Sequence, residues 1–215
     1  MSTTSSPHEG LPVLTAGVPL AQAAAALIMI HGRGASAEDI LSLAAELNIQ
    51  QIACLAPQAA QGAWYPQRFI APVAQNEPYL SSALAMLSGL LAQVAAAGIP
   101  AARTVILGFS QGACLALEYA ARNPQRYGGL VALSGALVEN GDQPRDYTGS
   151  LEGTPALLGC SDVDAHIPKG RVERSAELLR GLEAEVDLRI YPGMGHTVNR
   201  DELAAVTALL TRVAS

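Results

Sequence analysis

Five short apolar runs punctuate the chain: Leu27 to Ile30, Ile52 to Leu55, Val105 to Leu107, Leu130 to Leu133 and Ala156 to Leu158. None of them alternates with polar residues, so each reads as a strand buried on both faces, the pattern of a parallel sheet. Between them lie longer helical patterns near 37–47, 79–97, 111–122, 171–183 and 201–213, each following a turn. Two helix ends carry clear signals. Ser36 followed by Asp39 has the form of a capping box, and Gly98 with Pro100 stops the Ala-rich helix before the next strand. From Val186 to Tyr191, apolar Val186, Leu188 and Ile190 alternate with Asp187, Arg189 and Tyr191. That alternation predicts a strand with one face less buried, at a sheet edge. Together these elements predict an α/β fold with a mostly parallel central sheet and helices on both faces.

Three loops do not follow this rhythm, at about 57–78, 135–153 and 160–170. All follow strands, at the carboxyl ends where open α/β sheets bind ligands, and loops of this length in a compact domain are often functional. No long cap insertion is visible, so the site is expected to be shallow and walled by loops. The 215 residues suit a single domain, expected over 11–215, and the Ser- and Thr-rich residues 1–10 read as a flexible N-terminus.

Composition narrows the class. Half of the residues are hydrophobic and 15% are charged, below the roughly 25% of an average soluble domain, so disorder is not expected. The formal net charge is −6 and the basic residues form no run, which argues against nucleic acid or an anionic membrane as partner. The apolar stretch from Val18 to Ile30 has no basic residue before it and is too short to cross a bilayer. A cytoplasmic location without stable membrane insertion is therefore expected. Cys54, Cys114 and Cys160 are odd in number and widely spaced, so neither a disulfide framework nor a zinc site is suggested.

The chemistry concentrates at the ends of the expected strands. Gly108-Phe109-Ser110-Gln111-Gly112 lies between a strand and a helix, the setting a G-x-S-x-G nucleophile elbow requires. The turn forces its serine into strained backbone geometry, and only small residues two positions away let it close against the sheet. A serine hydroxyl needs a base. His196, in a Gly-rich loop after the strand 186–191, comes after the serine in chain order, as this arrangement demands. Asp162 and Asp164 both follow the strand 156–158 and can each supply the acid that orients His196; chain order does not choose between them. His31-Gly32-Arg33-Gly34 follows the first buried strand, where the amide of Arg33 can pair with that of Gln111 to hold an oxyanion. The Arg33 side chain can meet a polar or acidic substrate group, stay solvated, or form a structural salt bridge. Trp64 and Tyr65, adjacent in the first long loop, read either as a substrate wall or as filling for a gap in the fold. Cys114, one turn beyond Ser110, reads as helix packing.

Taken together, HGRG at 31, PQ at 57, WYP at 64, GFSQGA at 108, SDVDAHIP at 161 and GMGH at 193 resemble the carboxylesterase/phospholipase-type α/β-hydrolases, the group that includes the acyl-protein thioesterases. The resemblance spans about residues 11–213. It implies the α/β-hydrolase fold without a large cap domain, Ser110 as nucleophile, His196 as base, Arg33 and Gln111 as oxyanion donors, and hydrolysis of carboxylic esters or thioesters with no cofactor or metal. By resemblance the acid is Asp164, four residues before Pro168. The chain departs from the thioesterase branch at Arg33, where an apolar residue is more usual, and at His166 beside the acid motif. Both departures point toward a carboxylesterase acting on small soluble esters. Acyl-protein thioesterase or lysophospholipase activity is the alternative within the class. A non-catalytic binding or interaction protein on this scaffold is the alternative outside it. The sequence leaves the oligomeric state open.

Overall fold

The expected elements form, with ends moved by a few residues. A computed structural model describes residues 6–47 and 50–215. Its strands are β1 (Val13–Gly17), β2 (Ala25–Ile30), β3 (Ile52–Pro57), β4 (Thr104–Phe109), β5 (Gly129–Leu133), β6 (Pro155–Ser161) and β7 (Glu185–Tyr191). Its helices are α1 (Ala37–Ser42), α2 (Tyr79–Ala96), α3 (Gln111–Arg122), α4 (Lys169–Gly181) and α5 (Arg200–Ala214). They build one seven-stranded sheet in the order β1-β3-β2-β4-β5-β6-β7. Every neighbouring pair is parallel except β1 with β3.

Period-2 alternation divides the core between two layers. On β2, Ala26, Ile28 and Ile30 face the layer formed with Leu80 and Leu87 of α2 and the apolar residues of α3 and α4. Ala25, Leu27 and Met29 face the other way, toward Ile40 of α1 and Val206, Leu209 and Leu210 of α5. A strand covered on both faces has no polar position to spare, which is why β2 to β6 show as continuous apolar runs. The helix limits follow local chemistry. Ser36 and Asp39 exchange the two bonds of a capping box at the start of α1, and Asn199 with Glu202 does the same for α5. Gly98, at φ +91°, turns the chain after α2. The helix expected over 37–47 is α-helical only to Ser42 and continues as a 3₁₀ turn over Leu43–Glu46.

Two expectations need correction. Strand β1 falls in a stretch that the apolar pattern did not mark; its residues are only half-buried because it pairs antiparallel with β3 at the sheet margin. The boundary of a flexible terminus at residue 10 also fails: His8 is buried, its amide donating to Ser82 Oγ (2.9 Å) and its ring bonded at both nitrogens. Residues 1–5 lie outside the described residues. At the other margin, β7 is the edge strand the alternation predicted, with Arg189 ion-paired to Asp187 and Asp201 at 2.7 Å each.

The strand order fixes where a site can be. From β2 the chain passes to β3 on one side, whereas from β4 it passes to β5 on the other, so the connections leaving the carboxyl ends of β2 and β4 diverge. Open parallel sheets bind ligands in such a crevice. Gly32 and Arg33 leave β2 at this point, and Ser110 leaves β4.

Candidate active site

Ser110 sits between β4 and α3 at φ +55° and ψ −118°, a conformation that costs a non-glycine residue about 1–3 kcal/mol. The flanking glycines make it possible. A Cβ on Gly108 would come within 2.2 Å of the Gly112 carbonyl oxygen, and one on Gly112 within 2.1 Å of the Ile30 carbonyl oxygen. The elbow is thus closed on itself and pressed against the end of β2. The Ser110 amide donates to Leu133 O of β5 (2.9 Å), tying the turn to the sheet on its other side.

His196 Nε2 lies 2.9 Å from Ser110 Oγ, and His196 Nδ1 lies 2.6 Å from Asp164 Oδ2. The other Asp164 oxygen accepts the amides of His166 (2.8 Å) and Ile167 (3.0 Å). Burial alone would raise the Asp164 carboxyl, but the hydrogen bonds from His196 and from these two amides outweigh it and hold the group below the usual carboxylate range. Asp162 has a different job. It is exposed, and its Oδ1 accepts the Gly193 amide at 2.8 Å, fastening the loop that carries His196 to the end of β6. The rings of Phe109 and His166 flank His196 at 5.0 and 4.8 Å between centroids.

The amides of Gln111 and Arg33 have no acceptor among the described residues. Gln111 opens α3, where helix amides lack internal partners and favour negative charge. The Gly32–Arg33 turn packs against the elbow closely enough that a Cβ on Gly32 would lie 3.4 Å from Ser110 Cβ. A cavity of about 300 Å³ opens beside these groups, lined among others by Tyr65, Phe69, Phe109 and Ile167. Cys114 reaches its floor, but burial pushes its thiol up to about 12, so it stays protonated and is a poor nucleophile.

The side chains of Gln111 and Arg33 do work that sequence reading did not assign. Gln111 Oε1 accepts the Trp64 amide (2.9 Å) and Nε2 donates to Tyr65 O (2.8 Å). The Arg33 guanidinium donates to the carbonyls of Tyr65, Pro66 and Gln67 at 2.8, 2.9 and 2.6 Å. His31 accepts the Ala59 amide at Nε2 (3.1 Å), and His8 bridges the Ala60 amide and Trp64 O. A long loop folded over the sheet end must satisfy its backbone, and here distant side chains supply the partners. The pair Trp64 and Tyr65 is split. Trp64 is fully buried, its indole N–H donating to His31 O (2.8 Å) and its ring packed on His31 and His8, and it does not line the cavity. Trp64 therefore fills the fold, because the polar edge of its indole is satisfied inside; Tyr65 alone lines the cavity. Among the described residues, no three His, Cys, Asp or Glu side chains gather as metal ligands.

The model of the phospholipase/carboxylesterase family matches residues 17–213. The chain belongs to that family. It is accordingly a hydrolase of ester or thioester substrates. Among solved structures, a phospholipase/carboxylesterase from Dyadobacter fermentans is 41% identical, with a TM-score of 0.89 over 98% of this chain and 99% of the other. Acyl-protein thioesterase 1 of Yarrowia lipolytica is 26% identical across 85% of this chain and 88% of its own length. Acyl-protein thioesterase 1 of Gibberella zeae is 34% identical over 57% of this chain, and that match spans about half (53%) of the relative. These likenesses agree with the α/β-hydrolase architecture, with no large cap among the described residues.

Proposed function

We propose that this family member is a serine carboxylesterase that cleaves small soluble carboxylic esters through an acyl-enzyme on Ser110. One observation carries the reading: Asp164, His196 and Ser110 form an unbroken hydrogen-bonded series, ending on a serine held at positive φ beside amides without acceptors. His196 Nε2 takes the hydroxyl proton as Ser110 Oγ bonds to the ester carbonyl carbon. Asp164, accepting from Nδ1, keeps the tautomer with Nε2 free and stabilises the imidazolium. The amides of Gln111 and Arg33 receive the oxyanion. Collapse expels the alcohol, which leaves with the proton from His196, and water then repeats the sequence in place of serine. Residues 11–215 would act as one domain, in the cytoplasm, where Cys54, Cys114 and Cys160 remain free thiols. Thioester cleavage, the activity in the names of the two thioesterase relatives, uses the same groups and is the second reading.

A fluorophosphonate probe should label Ser110 covalently, and Ser110→Ala should lose labelling and ester turnover while keeping its melting temperature within a few degrees. Equal labelling of the alanine variant would overturn the assignment. Residual hydrolysis of roughly 10³-fold over water is compatible with it, because binding and oxyanion amides survive the substitution. A series of acyl lengths, as p-nitrophenyl esters and as thioesters, separates the two readings.

A further inference from the structure

The cavity beside Ser110 carries a charge pattern opposite to that of the chain around it. The sequence holds 19 Asp and Glu against 13 Lys and Arg, yet among the described residues the cavity is lined by Arg33 and Arg68 and by no acidic side chain. Asp164 lies behind His196, and its oxygens are taken by His196 and two backbone amides. Neither arginine has a carboxylate within ion-pair distance among the described residues; the cationic side chains that do are Arg122, Arg145, Lys169, Arg171, Arg189 and His196. Arg33 instead spends three donors on loop carbonyls, and Arg68 gives one to His166 O (3.1 Å). Carbonyl groups orient a guanidinium without neutralising it. With five N–H donors on each, both keep donors for a further acceptor. Both arginines are solvent-exposed residues, so their field at the cavity is partly screened.

We propose that the site selects esters bearing a second, free carboxylate, held by Arg33 and Arg68 while the ester carbonyl lies against Ser110. This rests on the serine-esterase reading and narrows its substrate class. Arg68, with one Nη2 hydrogen taken, keeps an edge that matches a carboxylate with two parallel hydrogen bonds, whereas both Nη2 hydrogens of Arg33 are taken by Tyr65 O and Gln67 O, so Arg33 adds single donors and its charge. Together they place positive charge, without a carboxylate partner among the described residues, beside a nucleophile whose reaction needs neither side chain.

The test compares three esters of equal reach: monomethyl adipate, its neutral isostere methyl 6-methylheptanoate, and the neutral amide monomethyl adipamate, with hydrolysis followed in a pH-stat. The wild-type enzyme should favour the anionic ester by roughly tenfold in kcat/KM, mostly through KM, as expected for charge-assisted hydrogen bonds at a partly exposed site. Arg68→Gln should lower that preference about fivefold, Arg68→Lys should recover part of it, and about 0.5 M salt should weaken it. A purely structural arginine would instead change all three esters together. Equal kcat/KM for the three esters, or a preference that survives both Arg33→Gln and Arg68→Gln, overturns the proposal. Ser110→Ala offers the same comparison by calorimetric binding. Tighter binding of monomethyl adipate than of adipamate supports the carboxylate site even if no turnover is seen, and equal binding refutes it; absence of turnover with absence of fluorophosphonate labelling counts against the serine-esterase reading alone.

Discussion

Asp162 and Asp164 stand two residues apart on one loop and do separate things. The loop is turned, so one carboxylate is buried against His196 and two amides, while the other faces outward and holds Gly193. An amide in place of the Asp164 carboxylate keeps the shape but favours the wrong imidazole tautomer, so Asp164→Asn should cost about 10⁴ in kcat. Asp162→Asn leaves a carbonyl oxygen able to accept from Gly193, and its kcat should stay within a few-fold of wild type. Rate measurements on both variants check this; the reverse ranking would move the acid by two residues. This contrast was beyond the residues read alone, since either aspartate satisfied the chain order and only the resemblance of the surrounding motif chose between them. Trp64 marks the same limit from the other side. Nothing in the dipeptide Trp64-Tyr65 distinguishes a buried ring from a wall, because the partners of Trp64 are His31, His8 and Gln111, all distant in sequence. Its burial leads to a different expectation from that of a substrate contact: Trp64→Ala should lose about 3–5 kcal/mol of stability, read by urea unfolding, with the relative kcat/KM across acyl lengths unchanged.

At the scale of elements, strands buried on two faces announce themselves, and β2 to β6 were legible for that reason. β1 was not, because a half-buried edge strand of five residues has neither a continuous apolar run nor a clean alternation. The loop over 57–78 was legible as a loop and opaque in its anchoring, which consists of single side chains reaching its backbone from elsewhere. Two of these anchors are titratable. Burial holds His8 and His31 below their ordinary value of 6.5, against smaller opposing effects from backbone hydrogen bonds. Each accepts a backbone N–H through an unprotonated ring nitrogen, so a proton there removes a bond. The unfolded chain takes up these protons near pH 6.5, and the folded chain only at lower pH. Their contribution is therefore fully present above about 6.5 and falls as pH drops through 6.5 toward the folded values, at up to about 1.4 kcal/mol per pH unit for each group. Urea unfolding at pH 7.5, 6.5 and 5.5 should show this decline, and His31→Gln should show a shallower one. Identical slopes would remove His31 from the account.

For the molecule as a whole, the sheet does two things at once: it supplies a two-layer core around β2 to β6, and its strand order opens a crevice where β2 and β4 send the chain in opposite directions. The same rigid frame holds Ser110 at φ +55°. A frame that can keep one residue in an unfavourable conformation sets folding against activity at that position. Glycine would adopt the conformation without strain, so Ser110→Gly should melt about 2–4 °C above wild type, equivalent to roughly 1 kcal/mol, while losing labelling and all but residual turnover. Calorimetric melting of the two proteins checks the sign, and a lower midpoint for the glycine variant would show that the elbow stores no strain. Were stability alone under selection, Ser110 would be among the first residues to drift; a serine there is a standing concession of thermal tolerance to chemistry.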